Sequence, residues 1–426
     1  MTNMNIWLIV PYEPIPLIDK TGRLLRYGIL ANELSKNVEN KITLWTSDFD
    51  HIRKKNRFGI TTEYNISSNI VGKFLFSGSY KKNISFARIR HNISLSREFK
   101  LEIEKTIEKP DIIICCLPTL ELGEQVVNFA NIKGIPVIID IVDIWPDVYL
   151  TAFPKSFKAI VKYFLKSEYN RAKRMLDKSS SLIAVSESYL NWGLNLLKRD
   201  ILQSDKIFPL GYTSNTLNSD EVLKCQINYL ELFNIKPDTV VLTFIGQFEK
   251  SYDIETIVDA AKHFSNNSNL IFILAGNGSK FLNIQQEAKT LKNIFLTGWL
   301  NQAKISALLN LSTIGLVTYS KSALQTLPYK PFEYMSAGLP ILSSLNGELK
   351  KIIEENRIGR SYIASNVTSL CSEINWFINN KKELKEMGQR STLLFFKKFS
   401  NDVIYPEFVK HIYETYNIHN SHKDNK

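Results

Sequence analysis

The sequence predicts an α/β protein built from two parallel-sheet domains of similar size. Three observations carry that expectation. Short β-branched apolar runs alternate with longer segments of helical period from one end to the other, which is the pattern of strands joined by crossover helices. The length of 426 residues suits two domains better than one core. The alternation weakens between Pro209 and Lys236, where the chain turns polar, and resumes at Val240.

In the first half the apolar runs Asn5–Val10, Ile42–Thr46, Asp111–Cys116, Pro136–Ile141 and Leu182–Val185 predict strands. Helices are expected between them near Arg23–Lys36, Leu120–Lys133 and Ser156–Leu176. In the second half the predicted strands are Val240–Ile245, Leu270–Ala275, Ile294–Leu296, Ile314–Val317 and Pro340–Ser343, with helices starting at Asp253, Lys280, Gln302, Tyr329 and Gly347. The domain boundaries that follow are 1–210 for the first Rossmann-like domain, 211–236 for a linker and 237–400 for the second domain. Tyr405, Phe408, Val409, Ile412 and Tyr416 recur at helical spacing. They predict a C-terminal helix over 401–418 that packs back on the first domain, followed by a disordered tail over 419–426.

Composition narrows the function. A hydrophobic fraction of 44% and a charged fraction of 22% are those of a globular chain, not a disordered one. The net charge of +11 calls for an anionic partner: nucleic acid, a membrane surface or a phosphorylated substrate. Nucleic acid is disfavoured, because no recognised binding module accompanies the basic residues and they are not interleaved with aromatics. Cys115, Cys116, Cys225 and Cys371 show neither a disulfide framework nor zinc-ligand spacing. No apolar run reaches the roughly 20 residues needed to span a bilayer, and the first residues lack the charge pattern of a secretory signal. The expected location is therefore cytoplasmic.

Ligands of open α/β sheets bind beyond the carboxyl ends of the strands, so the residues there carry the functional argument. Gly22 stands before the first helix, where free N–H groups can meet a phosphate; a tight turn without ligand fits equally well. The dinucleotide fingerprint and the P-loop are both missing, which disfavours nicotinamide and P-loop chemistry. Asp48 and Asp50 form an acid pair but lack the further ligands an oxygen-rich divalent site needs, so no metal is expected. The segment from Leu327 to Leu342 is the most informative. Lys330 and Glu333 fall three residues apart at the start of a short helix, a cation for a diphosphate beside a carboxylate for ribose hydroxyls. A solvated ion pair accounts for the same spacing.

That segment, together with Phe244-Ile-Gly-Gln-Phe-Glu-Lys-Ser-Tyr-Asp, Leu274-Ala-Gly-Asn-Gly, Thr297-Gly-Trp and Gly347-Glu348, resembles the carboxyl-terminal domain of family 4 glycosyltransferases. The resemblance spans roughly Val240–Ile363 and implies the GT-B fold, two Rossmann-like domains facing across a cleft. In the first half, Thr46-Ser-Asp-Phe-Asp-His and Asp140-Ile-Val-Asp-Ile-Trp-Pro-Asp look like the branch that builds bacterial surface polysaccharides of the O-antigen or capsule type.

The resemblance implies a retaining transferase that moves a hexose or an aminosugar from a nucleotide-sugar to a lipid-linked or glycan acceptor. A UDP-sugar is the favoured donor, and no cofactor is needed. It places Lys330 on the donor diphosphate and Glu333 on the ribose. Gly22, Gly246, Gly276 and Gly278 would let backbone approach the donor, and Lys250 would add charge. Gln325 stands where the family has the first acid of its Glu–seven residues–Glu motif, Gln247 where an Arg is common, and Asp143 where many members have a histidine. With Glu333 and Lys330, Asp143 completes the expected catalytic set. A GT-B sugar-nucleotide 2-epimerase and a non-catalytic anion-binding protein remain the alternatives.

The stretch from Lys155 to Lys178 carries eight cations against Glu168 and Asp177. Lys158, Lys162 and Lys166, with Phe157 and Phe164 on another face, predict either a helix docked on an anionic leaflet or a core-facing helix with a solvated basic side. The first reading makes the protein peripheral on the inner face of the cytoplasmic membrane.

Overall fold

The structure, a computed structural model, describes residues 3–20, 23–83, 85–151, 153–214 and 219–424. The chain divides into two compact units, Met1–Pro209 with Tyr405–Lys426, and Leu210–Ile404. Each is an α/β unit around its own sheet.

The first sheet has eight strands in the order Lys206–Ile207, Ser181–Ala184, Val137–Ile141, Ile112–Leu117, Asn5–Ile9, Lys41–Ser47, Ile70–Leu75 and Thr62–Asn65. Neighbours are parallel except the last pair. The central strands read as nearly continuous apolar runs because helices cover both faces; Ile112–Leu117 and Val137–Ile141 are buried along their whole length. The strand order reverses between Asn5–Ile9 and Ile112–Leu117. That switch point opens a crevice beyond their carboxyl ends.

The second sheet has six parallel strands in the order Ile294–Gly298, Leu270–Ala275, Val240–Ile245, Ile314–Val317, Ile341–Ser343 and Gly359–Ser361. Its switch point lies between Val240–Ile245 and Ile314–Val317. One face packs Phe244, Phe248, Phe272 and Ile257; the other packs Val241, Ile273, Phe332, Tyr334 and Phe395.

Four expectations change. Positions 211–236 are not a linker. The helix Ser219–Leu232 buries Val222 and Tyr229, and with Phe233 these join Leu308 of the helix Gln302–Leu311 in the second core. Its apolar stripe of Val222, Cys225 and Tyr229 runs at helical spacing but is interrupted by polar residues on the exposed side. The helix expected from Arg23 begins at Arg26, because the Glu13 carboxylate accepts the Leu25 and Gly28 N–H groups at 2.8 and 2.9 Å and sets the first turn there. The basic helix is broken at Leu165 into Lys158–Phe164 and Lys166–Asp177. The last helix runs Asn401–Asp424, so 419–424 continue it where a disordered tail was expected.

The last helix is tied to the first unit by aromatic and polar contacts. Phe408 stacks on Phe208 with centroids 4.7 Å apart, and Tyr413 accepts a 2.9 Å hydrogen bond from the Asn40 amide. Beneath Phe408 lies a buried ion pair. Arg26 donates from Nε and Nη2 to the two Asp140 oxygens at 2.6 and 3.1 Å, and from Nη1 to the Phe208 carbonyl at 2.8 Å. Asp140 is therefore a structural residue on its strand. Removing one partner strands a buried charge, so Asp140→Ala should cost about 3–5 kcal/mol of stability. Chemical denaturation checks this: an unchanged midpoint would show that the pair is not holding the last helix and the strand together.

Candidate active site

The predicted donor residues gather in the second unit around the helix Lys330–Ser336. Phe332, Tyr334 and Met335 are fully buried and fix that helix on the sheet. The Tyr334 hydroxyl accepts the Ile245 N–H at 2.9 Å and donates to the Leu316 carbonyl at 3.2 Å, so it joins the two switch-point strands. Gly315 is required for this: a Cβ there would lie 2.4 Å from the Tyr334 ring. The helix start is thereby held at the carboxyl edge, where ligands of such sheets bind.

At that start Lys330 Nζ donates to Glu333 Oε2 at 3.0 Å, and the Tyr212 hydroxyl donates to Glu333 Oε1 at 3.1 Å. Gln302 in turn donates to the Tyr212 oxygen at 3.1 Å. Glu333 is only 2% exposed. These partners hold the carboxylate in place far from water. Tyr212 and Gln302 escaped the sequence reading. Tyr212 sits in the supposed linker, and only its position after Gly211, which adopts a φ of +66°, hinted at a turn that aims it.

The glycines also come together. Gly246 follows the strand Val240–Ile245, and Gly276 follows Leu270–Ala275 with a φ of +142°. A Cβ on Gly276 would fall 1.7 Å from the Gly246 carbonyl oxygen, so these two loops approach to backbone contact. Gly278, at φ +157°, closes on the Phe248 backbone in the same way. Lys250 and Gln325 lie on exposed loops. The loop after Gln325 is tied to the Gly347 turn by the Leu349 N–H donating to the Thr326 carbonyl at 3.1 Å. Gly22 lies outside the described residues.

In the first unit Asp143 follows the strand Val137–Ile141. Its oxygens accept the Ile144 N–H at 3.0 Å and the Trp145 indole N–H at 3.3 Å. Burial raises its carboxyl above the usual range despite these bonds. It is thus both a cap for the Trp145 turn and a half-buried acid at the sheet edge. Glu13, 2% exposed, is pushed up to about 7 by burial, against the pull of the Gly28 and Leu25 N–H groups.

Asp48 and Asp50 hold their own loop. Asp48 accepts the Phe58 and Gly59 N–H groups at 2.7 and 3.0 Å; Asp50 accepts those of Ile52 and Arg53 at 2.8 and 3.0 Å. Among the described residues no group of three or more His, Cys, Asp or Glu is placed to hold a metal. Among them also, no helix is long and apolar enough to cross a membrane.

Two parallel Rossmann-like sheets with this site at a carboxyl edge define an α/β protein of GT-B architecture. Residues 229–393, within the second unit, match the family described as Glycosyl transferases group 1. Solved structures of the same fold cover nearly the whole chain. Sucrose-phosphate synthase from Thermosynechococcus elongatus matches with a TM-score of 0.72 and 13% identity over 98% of this chain and 100% of that one. Anabaena HepE in complex with UDP-glucose matches with a TM-score of 0.64 and 12% identity over 97% and 100%. WaaG, a glycosyltransferase involved in lipopolysaccharide biosynthesis, matches with a TM-score of 0.63 and 10% identity over 96% and 99%. No curated protein matches the chain in sequence.

Proposed function

We propose that this protein is a retaining glycosyltransferase. It moves a hexose or an aminosugar from a nucleotide-sugar, a UDP-sugar before others, to a lipid-linked or glycan acceptor in bacterial surface-polysaccharide assembly. The observation that carries this reading is the buried Glu333 carboxylate between Lys330 and Tyr212, inside the segment that matches the group 1 glycosyltransferases. Glu333 accepts the ribose hydroxyls, and Lys330 turns from it to the diphosphate. The task is electrostatic: charge grows on the departing diphosphate, and a cation fixed beside it stabilises the transition state more than the ground state. Retention follows when the acceptor attacks on the face from which the diphosphate leaves. Asp143 orients the acceptor hydroxyl or the donor sugar. HepE was solved with UDP-glucose, which supports the choice of UDP.

No metal takes part in this reading, since the Asp48 and Asp50 carboxylates are engaged by backbone N–H groups. The protein works as a peripheral enzyme on the inner leaflet, docked through the helix Lys158–Phe164. No residue of that helix is buried.

A thermal-shift screen against UDP-, GDP- and dTDP-sugars tests the donor. Ligand at 100 times its Kd adds about 2.7 kcal/mol of apparent stability, so the UDP-sugar series should raise the melting temperature most. No shift with any nucleotide would sink the reading. Turnover should survive EDTA; strict dependence on Mg²⁺ or Mn²⁺ would return Asp48 and Asp50 to the site. Mass spectrometry of products separates transfer from epimerisation, which would release free UDP and an altered sugar with no acceptor present.

A further inference from the structure

The first unit holds a second constellation at its switch point, and the donor chemistry does not use it. Tyr12 leaves the strand Asn5–Ile9, Thr119 leaves the neighbouring Ile112–Leu117, and Arg88 with Asn92 stands on the first two turns of the helix Phe86–Lys105. The Arg88 guanidinium lies 4.8 Å from the Trp145 ring centre, 5.6 Å from that of Tyr12 and 5.7 Å from that of Tyr80. Nη1 donates to the Asn83 carbonyl at 2.8 Å. Nε is buried without a partner, and among the described residues Arg88 forms no ion pair.

The groups around it are unpartnered too. Asn92 and Thr119 are fully buried, yet the Asn92 amide nitrogen and the Thr119 hydroxyl have no hydrogen-bond partner; the other end of Asn92 accepts from the Tyr12 hydroxyl at 3.1 Å. Glu121, two residues beyond Thr119 and three beyond Pro118, leaves one carboxylate oxygen orphaned. Each buried polar group left unmade costs about 1–3 kcal/mol, and native structures keep few of them without a reason. A guanidinium framed by three aromatic faces, with hydroxyl and amide groups waiting beside it, matches a ring that carries a negative charge and several hydroxyls.

We infer that this constellation binds a sugar bearing an anionic group, either a carboxylate or a phosphoryl, and that this is the acceptor. The Trp145, Tyr12 and Tyr80 rings hold the guanidinium in place, Arg88 takes the anion through its Nε–H, and Asn92, Thr119 and Glu121 meet hydroxyls. The acceptor role rests on the glycosyltransferase reading; binding of the anionic sugar does not.

The test is binding to the full chain, followed by Trp145 fluorescence or ligand-observed NMR, with no donor present. The probes are methyl β-glucuronoside, glucose 1-phosphate, methyl β-glucoside and inorganic phosphate. At least one anionic sugar should bind about 10-fold or more tighter than methyl β-glucoside, equivalent to about 1.4 kcal/mol. A preference for the glucuronoside names an acidic sugar; a preference for glucose 1-phosphate names a sugar joined through phosphate. Arg88→Ala should erase that preference, and Arg88→Lys, which keeps charge but loses the planar fork, should recover only part of it. Equal binding of charged and neutral sugars overturns the inference. So does inorganic phosphate binding as tightly as glucose 1-phosphate, or a preference that survives Arg88→Ala in a folded protein. UDP binding measured on the same samples reports on the donor site separately, so the two readings fail independently.

Discussion

Lys330→Ala and Glu333→Gln should each lower transfer by at least about 10²-fold while the protein stays folded, the loss expected when a preorganised contact to developing charge or to the donor is removed. The two variants act differently. Lys330 is 24% exposed along its side chain, so its ammonium can swing from Glu333 to a diphosphate when donor binds. Its loss should fall mainly on kcat, because charge on the leaving group is largest in the transition state. Glu333 is held on both oxygens before any ligand arrives, and Glu333→Gln preserves the shape and the acceptor for the Tyr212 hydroxyl. What it loses is charge, so donor affinity and kcat should fall together. Lys330→Ala leaves Glu333 with one partner fewer in a buried setting, and a melting curve beside the kinetics separates misfolding from lost chemistry. Wild-type turnover in either variant would remove the proposed donor site.

Much of this site was legible because its pattern is local. The glycine-rich turns follow the continuous apolar runs Val240–Ile245 and Leu270–Ala275, and Lys330 and Glu333 stand three residues apart at a helix start. The central strands of both sheets were equally plain, since a fully buried parallel strand is a short β-branched run with little else to imitate it. The illegible parts are those that tertiary contact creates. Nothing near Tyr212 in the chain announces that its hydroxyl meets Glu333, 121 residues away. The strand Thr62–Asn65 lies at the sheet edge with Glu63, Tyr64 and Asn65 exposed, so it carries no apolar signal.

Asp140 and Asp143 show the same limit on chemistry. Both belong to one acidic motif, yet the first is consumed by Arg26 inside the fold and the second reaches the sheet edge. Spacing alone could not divide those roles, because which face of a strand and its following turn each acid meets depends on a helix more than 100 residues earlier. Arg88 was silent for a related reason. It is one cation among many on an amphipathic helix, and only the three aromatic rings gathered around it from separate loops set it apart.

Replacing Lys158, Lys162 and Lys166 with Glu should abolish binding to anionic liposomes and leave nucleotide-sugar affinity nearly unchanged. The helix Lys158–Phe164 combines the two elements that interfacial docking requires. Phe157, Ile160, Tyr163 and Phe164 are 54%, 55%, 74% and 76% exposed, far more apolar surface than a solvated helix normally carries. The break at Leu165 lets this short segment take its own direction from the longer helix Lys166–Asp177, which is anchored by Ala172, Met175 and Leu176. Each cation near an anionic leaflet contributes about 1 kcal/mol, so reversing three removes about 3 kcal/mol of attraction and adds a comparable repulsion. That exceeds a 10²-fold change in partitioning. The electrostatic part is screened over about 8 Å at physiological salt, whereas the apolar part is not. Phe157→Ser with Phe164→Ser should therefore weaken binding that persists in high salt, and the lysine reversals should act chiefly at low salt. If the parent protein ignores anionic vesicles at low salt, or the reversed variant binds them equally well, the basic and aromatic faces of this helix are solvated surface and the enzyme meets its acceptor in solution.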